Sequence, residues 1–167
     1  SATIDSIPTV IKNIREGTNT SGFQRTFAES ESYGLKLIQL YLPTPSHRNS
    51  KFAFKSLEYN TIAPLVTENT TTSLGVIGAI GFSLLILMAF FESRIKVFLR
   101  NLYKLNLAAV LIGTIGGIGA LFAFFISPSI RGYNRISIFI FAFSLLCIGY
   151  LLTKLRKNIQ KYIYIIL

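Results

Sequence analysis

Between Ser73 and Phe91 the chain reads "SLGVIGAIGFSLLILMAFF", 19 residues without a charge, bounded by Glu68 and Glu92. Nothing else in the sequence narrows the possible folds as much. At a rise of about 1.5 Å per residue, a helix of this length comes close to crossing the roughly 30 Å hydrocarbon core of a bilayer. A second uncharged run extends from about Leu105 to Ile126 and ends at "SPS", where Pro128 opposes helix continuation. A third, Ile136 to Leu152, is closed by the basic "TKLRKNIQK". Three such runs in 167 residues exceed what a soluble core holds, so three transmembrane helices are expected. The composition agrees: 14% of residues are charged, whereas a soluble domain carries about a quarter.

The formal charge of +10 suggests nucleic acid until its distribution is considered. Residues 1–72 carry seven Lys/Arg and six Asp/Glu, whereas residues 73–167 carry ten Lys/Arg and only Glu92. Most of those cations flank apolar runs. The basic excess therefore reports membrane topology, with lipids as partners and no nucleic acid. Segment 92–104 holds Arg94, Lys96, Arg100 and Lys104, and segment 153–167 holds Lys154, Arg156, Lys157 and Lys161. Segment 127–135 has only Arg131 and Arg135. The positive-inside bias thus places 92–104 and 153–167 in the cytoplasm, with 127–135 and residues 1–72 outside it.

Within the 92–104 link, Ile95, Phe98, Leu99, Leu102 and Tyr103 share one helix face, while Lys96, Arg100 and Lys104 form a stripe. It reads as a basic amphipathic helix in the lipid interface, or as a prolongation of the spanning helices with snorkelling cations. Gly75, Gly78 and Gly81, and then Gly113, Gly116, Gly117 and Gly119, supply the small residues that let helix backbones approach within a membrane. Cys147, the sole cysteine, lies in the third run and says nothing of redox compartment.

The expected fold is all-α. Three spanning helices, 73–91, 105–126 and 136–152, follow an extracytoplasmic region, 1–72, with short amphipathic helices. In that region "DSIPTVIKNIRE" reads as a helix with Ile7, Val10, Ile11 and Ile14 on one face. Tyr33 to Leu42 reads as another, with Leu37, Ile38 and Tyr41 on its apolar face, Lys36 and Gln39 away from it, and Pro43 ending it. The stretch "PTPSHRNSKFAFKSLEYNTIAPLVTENTTT" reads as an unstructured connection. Asn19 and Asn69 fit the glycosylation sequon by chance. With no signal pattern at its start and an apolar "YIYIIL" at its end, the chain is expected to be a segment of a larger multi-spanning protein.

"ESESYGLKLIQLYLPTPSHR", then "APLVTEN", then a Gly-rich run beginning "LGVIGAIGF", resembles a segment of large bacterial multi-pass membrane proteins of the GT-C glycosyltransferase type, a group that includes sugar translocases. The resemblance covers roughly residues 25–90. It implies a polyprenyl-phosphate-linked sugar donor, transfer on the periplasmic face of the bacterial inner membrane, and a role in surface polysaccharide or lipid glycosylation. It also implies that the catalytic carboxylate, and any divalent metal, belong to earlier external loops of the full-length protein. The external acids Asp5, Glu16, Glu29, Glu31, Glu58 and Glu68 include no Asp-x-Asp pair. One histidine and no external cysteine leave no zinc site, so no cofactor is expected within this chain.

A sugar-phosphate donor requires cations at the membrane surface, and an Arg fork suits that anion. His47 and Arg48, after the Pro43–Pro45 turn, are the first candidates for phosphate contact, with Arg25 and Lys36 behind them. The competing account gives His47 and Arg48 only loop hydrogen bonds, or pairing with Glu29 or Glu31. Two function classes follow: a scaffold and donor-pocket segment of a glycosyltransferase, catalytically inactive alone, or a non-enzymatic translocase or accessory subunit of envelope polysaccharide assembly. A channel or transporter is disfavoured because no ionisable residue lies within the runs.

Overall fold

The computed structural model describes Ile11, residues 26–130 and residues 132–166, with side chains described except at 92–94 and 157–166. Arg25 and, Ile11 apart, the helix expected over 1–22 lie outside the described residues. Among the described residues seven α-helices carry the fold: α1 (Phe27–Ser32), α2 (Leu37–Tyr41), α3 (Ser50–Ile62), α4 (Gly75–Met88), α5 (Val97–Gly113), α6 (Ile118–Phe125) and α7 (Ser137–Ile166). Among the described residues there is no strand, only an isolated parallel bridge between Leu35 and Thr114.

Helices α4, α5 and α7 form the body. Gly81 lets α4 meet α7 closely, since a Cβ there would lie 2.4 Å from the Ser144 carbonyl oxygen. Phe82 and Leu85 of α4, Leu99 and Leu102 of α5, and Ile140 and Cys147 of α7 fill the interior. Large apolar side chains cover the outside as well: Val76 is 78% exposed and Phe139 61%. Among the described residues one helix, Tyr133–Arg156, is long and apolar enough to cross a membrane.

The expectation of one helix over 105–126 is not met. α5 begins earlier, at Val97, so that the basic link is continuous with it, and it stops at Gly113. Thr114 is extended, and Gly116 takes φ +70°, a conformation that glycine adopts without strain. At Gly117 a Cβ would fall 2.2 Å from the Leu111 carbonyl oxygen, and at Gly119 2.4 Å from that of Ile112. The glycines therefore turn the chain sharply back on the end of α5 before α6 starts.

The segment around Leu35 fills this break. Leu35 N–H donates to the Gly113 carbonyl at 2.7 Å, and the Leu35 carbonyl accepts from Ile115 N–H at 3.2 Å. Groups left bare by the end of α5 are thereby paired, as backbone polar groups in apolar surroundings must be. Gly34 permits the approach, because a Cβ there would meet Ile115 Cγ1 at 2.7 Å. The same segment joins the other helices at this end: Asn134 N–H, just ahead of α7, donates to Tyr33, and Leu74 N–H, just ahead of α4, donates to Leu40.

Two features of residues 26–72 go beyond the expectation. α2 keeps Leu37, Ile38 and Tyr41 together with Gln39 away from them, as expected, but it is the Gln39 side, with Leu40 and the neighbouring Leu35, that is buried, and the apolar set is exposed. The cause is Asn69, a fully buried hub. Its Oδ1 accepts from Gln39 Nε2 and Thr67 N–H, both at 3.1 Å, while its Nδ2 donates to the Gly34 and Leu65 carbonyls at 3.2 and 3.0 Å. An amide with every site used holds Gln39 inward, and it leaves Asn69 no freedom to carry a glycan.

Secondly, the expected unstructured connection contains α3. Asn49 caps it by accepting from Lys51 N–H at 3.0 Å, and it ends at Ala63, the residue before Pro64, where helix geometry is disfavoured.

Candidate functional site

Residues 43–48 leave α2 through Pro43 and Pro45, whose rings restrict the backbone, and turn back by a His47 N–H to Thr44 carbonyl bond of 3.0 Å. The turn overhangs the start of α4 and forms one wall of a cleft of about 460 Å³. Tyr41, Pro43, Thr44 and His47 line the upper wall, and Phe52 of α3 closes one side. Ser73, Leu74, Gly75 and Val76 at the head of α4 form the floor with Phe141 of α7. The lining is largely apolar, with the polar groups of Tyr41, Thr44, His47 and Ser73 set into it.

His47 is held in place. Its Nδ1 accepts from Asn49 N–H at 3.0 Å, which puts the neutral ring's proton on Nε2, and its ring meets Phe52 edge to face at 5.3 Å. Nδ1 therefore serves the turn, as the loop-bonding account requires, while Nε2 stays available as a donor. Tyr41 is fixed likewise. Ser83 spends its hydroxyl hydrogen on the Ala79 carbonyl at 2.9 Å, so the 3.1 Å contact between Tyr41 and Ser83 has the tyrosine donating. α4 begins without a side-chain cap, leaving the positive end of its dipole at the cleft floor.

Of the four sequence candidates, the structure places His47 in the cleft wall. Arg48 is fully exposed on the same turn but does not line the cleft. Lys36 is separate: its ammonium donates to the Pro64 carbonyl and lies 5.8 Å from the centre of the Tyr59 ring. Desolvation there lowers its pKa from the ordinary lysine value. Its role is to tie α2 to the end of α3. Arg25 lies outside the described residues.

The sequence reading missed Tyr41, Thr44, Ser73 and Phe52. The Pro-Thr-Pro turn was the available signal, since it obliges the chain to fold over whatever follows α2. No acid lines the cleft. Among the described residues, no three His, Cys, Asp or Glu side chains come together to hold a metal. The chain matches no family model, no curated protein and no solved structure.

Proposed function

We propose that this chain is a membrane-embedded segment of a GT-C-like glycosyltransferase, in which the 43–48 turn and the head of α4 receive the head of a polyprenyl-phosphate-linked sugar. The observation that supports this reading is the cleft itself, largely apolar in its lining with a few polar side chains, and with His47 Nε2 oriented by the turn. An amphiphile with a phosphate head and an isoprenoid chain needs both kinds of lining. In this reading α4, α5 and α7 cross the bacterial inner membrane, and residues 1–72 lie on its periplasmic side. Large apolar residues along the outside of the body support the membrane assignment, since burying them in lipid removes the cost of exposing them to water.

A second reading is a non-enzymatic translocase or accessory subunit that binds the same lipid-linked sugar; a cleft without a carboxylate fits it, as it fits an enzyme whose carboxylate lies in another loop. One experiment separates the two. The full-length protein in nanodiscs is given a radiolabelled polyprenyl-phosphate sugar, and both binding and transfer are measured, with and without His47→Ala and Arg48→Ala. Binding and transfer that both fall in His47→Ala support the enzyme. Binding without transfer supports the accessory reading. Binding indifferent to His47→Ala removes the cleft from both.

A further inference from the structure

α3 presents large apolar side chains outward beside its charged ones. Ser56, mid-helix, is buried, and Tyr59 turns inward beneath Lys36. Phe54, by contrast, is 63% exposed and Ile62 79%, with Leu57 outward between them. Among the described residues no other helix packs along α3. A helix of 13 residues draws little stability from its own hydrogen bonds, and an outward Phe and Leu add an unfavourable hydration cost. Such a helix needs an apolar surface against it.

The surroundings identify that surface. Phe52, in the first turn of α3, shares the cleft with the head of α4 and with Phe141 of α7. α3 therefore starts level with the point where both helices begin their outward apolar faces at Val76 and Ile138. Lys51 and Lys55 lie together to one side of Phe54 and Leu57, and Arg48 precedes them; Glu58, 2.9 Å from Lys55, is the one acid on the helix. Apolar residues bordered by cations at the end of a spanning helix match the acyl and phosphate layers of a bilayer surface.

We propose that α3 lies on the outer leaflet, with Phe54 and Leu57 below the headgroups and Lys51 and Lys55 on lipid phosphates. The helix would then fix the height of the His47 turn, seven residues before Phe54, relative to the membrane. This rests on the membrane-spanning reading above.

The chain contains no tryptophan, so single reporters can be introduced cleanly. Phe54→Trp on α3 and Leu146→Trp near the middle of the apolar stretch Tyr133–Arg156 are reconstituted in phosphatidylcholine–phosphatidylglycerol vesicles. These contain lipids brominated at either a shallow or a deep acyl position, and aqueous iodide is added separately. The expected result is blue-shifted emission at position 54, quenched more by shallow bromines than by deep ones or by iodide, with the opposite depth preference at position 146. Quenching at 146 by lipid, with 54 answering only to iodide, places α3 in water and overturns the proposal. Position 54 shielded from both lipid and iodide means that protein covers the face, which overturns it equally. Position 146 untouched by either bromine refutes the membrane-spanning reading itself, and this proposal with it.

Discussion

Asn69→Ala tests whether the buried amide hub holds the external segment to the helices. The substitution removes four hydrogen bonds at once. Thr67 N–H and the Leu65 carbonyl are only partly buried and can turn to water. Gln39 Nε2 and the Gly34 carbonyl are buried and cannot. Two buried groups without partners cost about 2–6 kcal/mol together. With about 4 kcal/mol as the middle of that range, and about 2–4 °C lost per kcal/mol for a chain of this size, the midpoint falls by about 8–16 °C. Cys147 provides the assay, being the sole cysteine and fully buried, so a fluorogenic thiol dye reports unfolding directly. Asn69→Asp is expected not to rescue, because a carboxylate would face the Gly34 and Leu65 carbonyl oxygens that the amide now donates to. Exposed Asn101→Ala serves as control and is expected to leave the midpoint unchanged. A fall of less than about 3 °C in Asn69→Ala, or a rescue by Asp, would refute the hub argument.

Gly116→Ala and Gly117→Ala separate conformation from space at the helix break. At Gly116 a Cβ meets open space, so Ala costs only the left-handed backbone, about 1–2 kcal/mol. At Gly117 it meets two backbone oxygens, and the thiol-dye midpoint falls further; equal losses would show that the close return of the chain does not matter. Asn106 is fully buried in α5 with neither amide atom hydrogen-bonded. Asn106→Leu is therefore expected to stabilise by about 1–3 kcal/mol, and a lowered midpoint would reveal a partner for that amide. Lys36 binds its proton less tightly when folded, so stability gains as pH rises through the lowered folded value towards the unfolded value of 10.5. Alkaline titration should show that gain in the parent but not in Lys36→Met; identical profiles would show that burial does not perturb the ammonium.

The apolar runs were legible because length and absence of charge require no tertiary information, and α7 follows the third of them. The break after Gly113 was not legible. Gly113, Gly116, Gly117 and Gly119 have the same spacing whether they pack two helices or end one, and only the docking of Leu35 decides between the two. Periodicity found α2 and grouped its sides, but could not say which side faces inward. Leu37, Ile38 and Tyr41 are a coherent apolar set, yet the buried amide of Asn69 lies far away in sequence and draws Gln39 inward. α3 escaped notice because its exposed side mixes Phe54, Leu57 and Ile62 with Lys51, Lys55 and Glu58, and its cap at Asn49 and stop before Pro64 were the only signals. Of the site, His47 and its Pro-flanked turn were readable. Ser73 and Phe141 were not, since they belong to helices whose meeting with that turn is a tertiary fact.

The bridge between Leu35 and Thr114 also sets a schedule. Leu35 leaves the ribosome before any of the three apolar runs, whereas its partners at Gly113 and Ile115 are made late. Until α5 is complete, the first-made segment has nothing to dock on; until that segment docks, the end of α5 carries bare backbone groups in apolar surroundings. A segment synthesised ahead of all three apolar runs is therefore among the last to mature, and during that interval its docking groups are open to whatever chaperone attends the nascent protein.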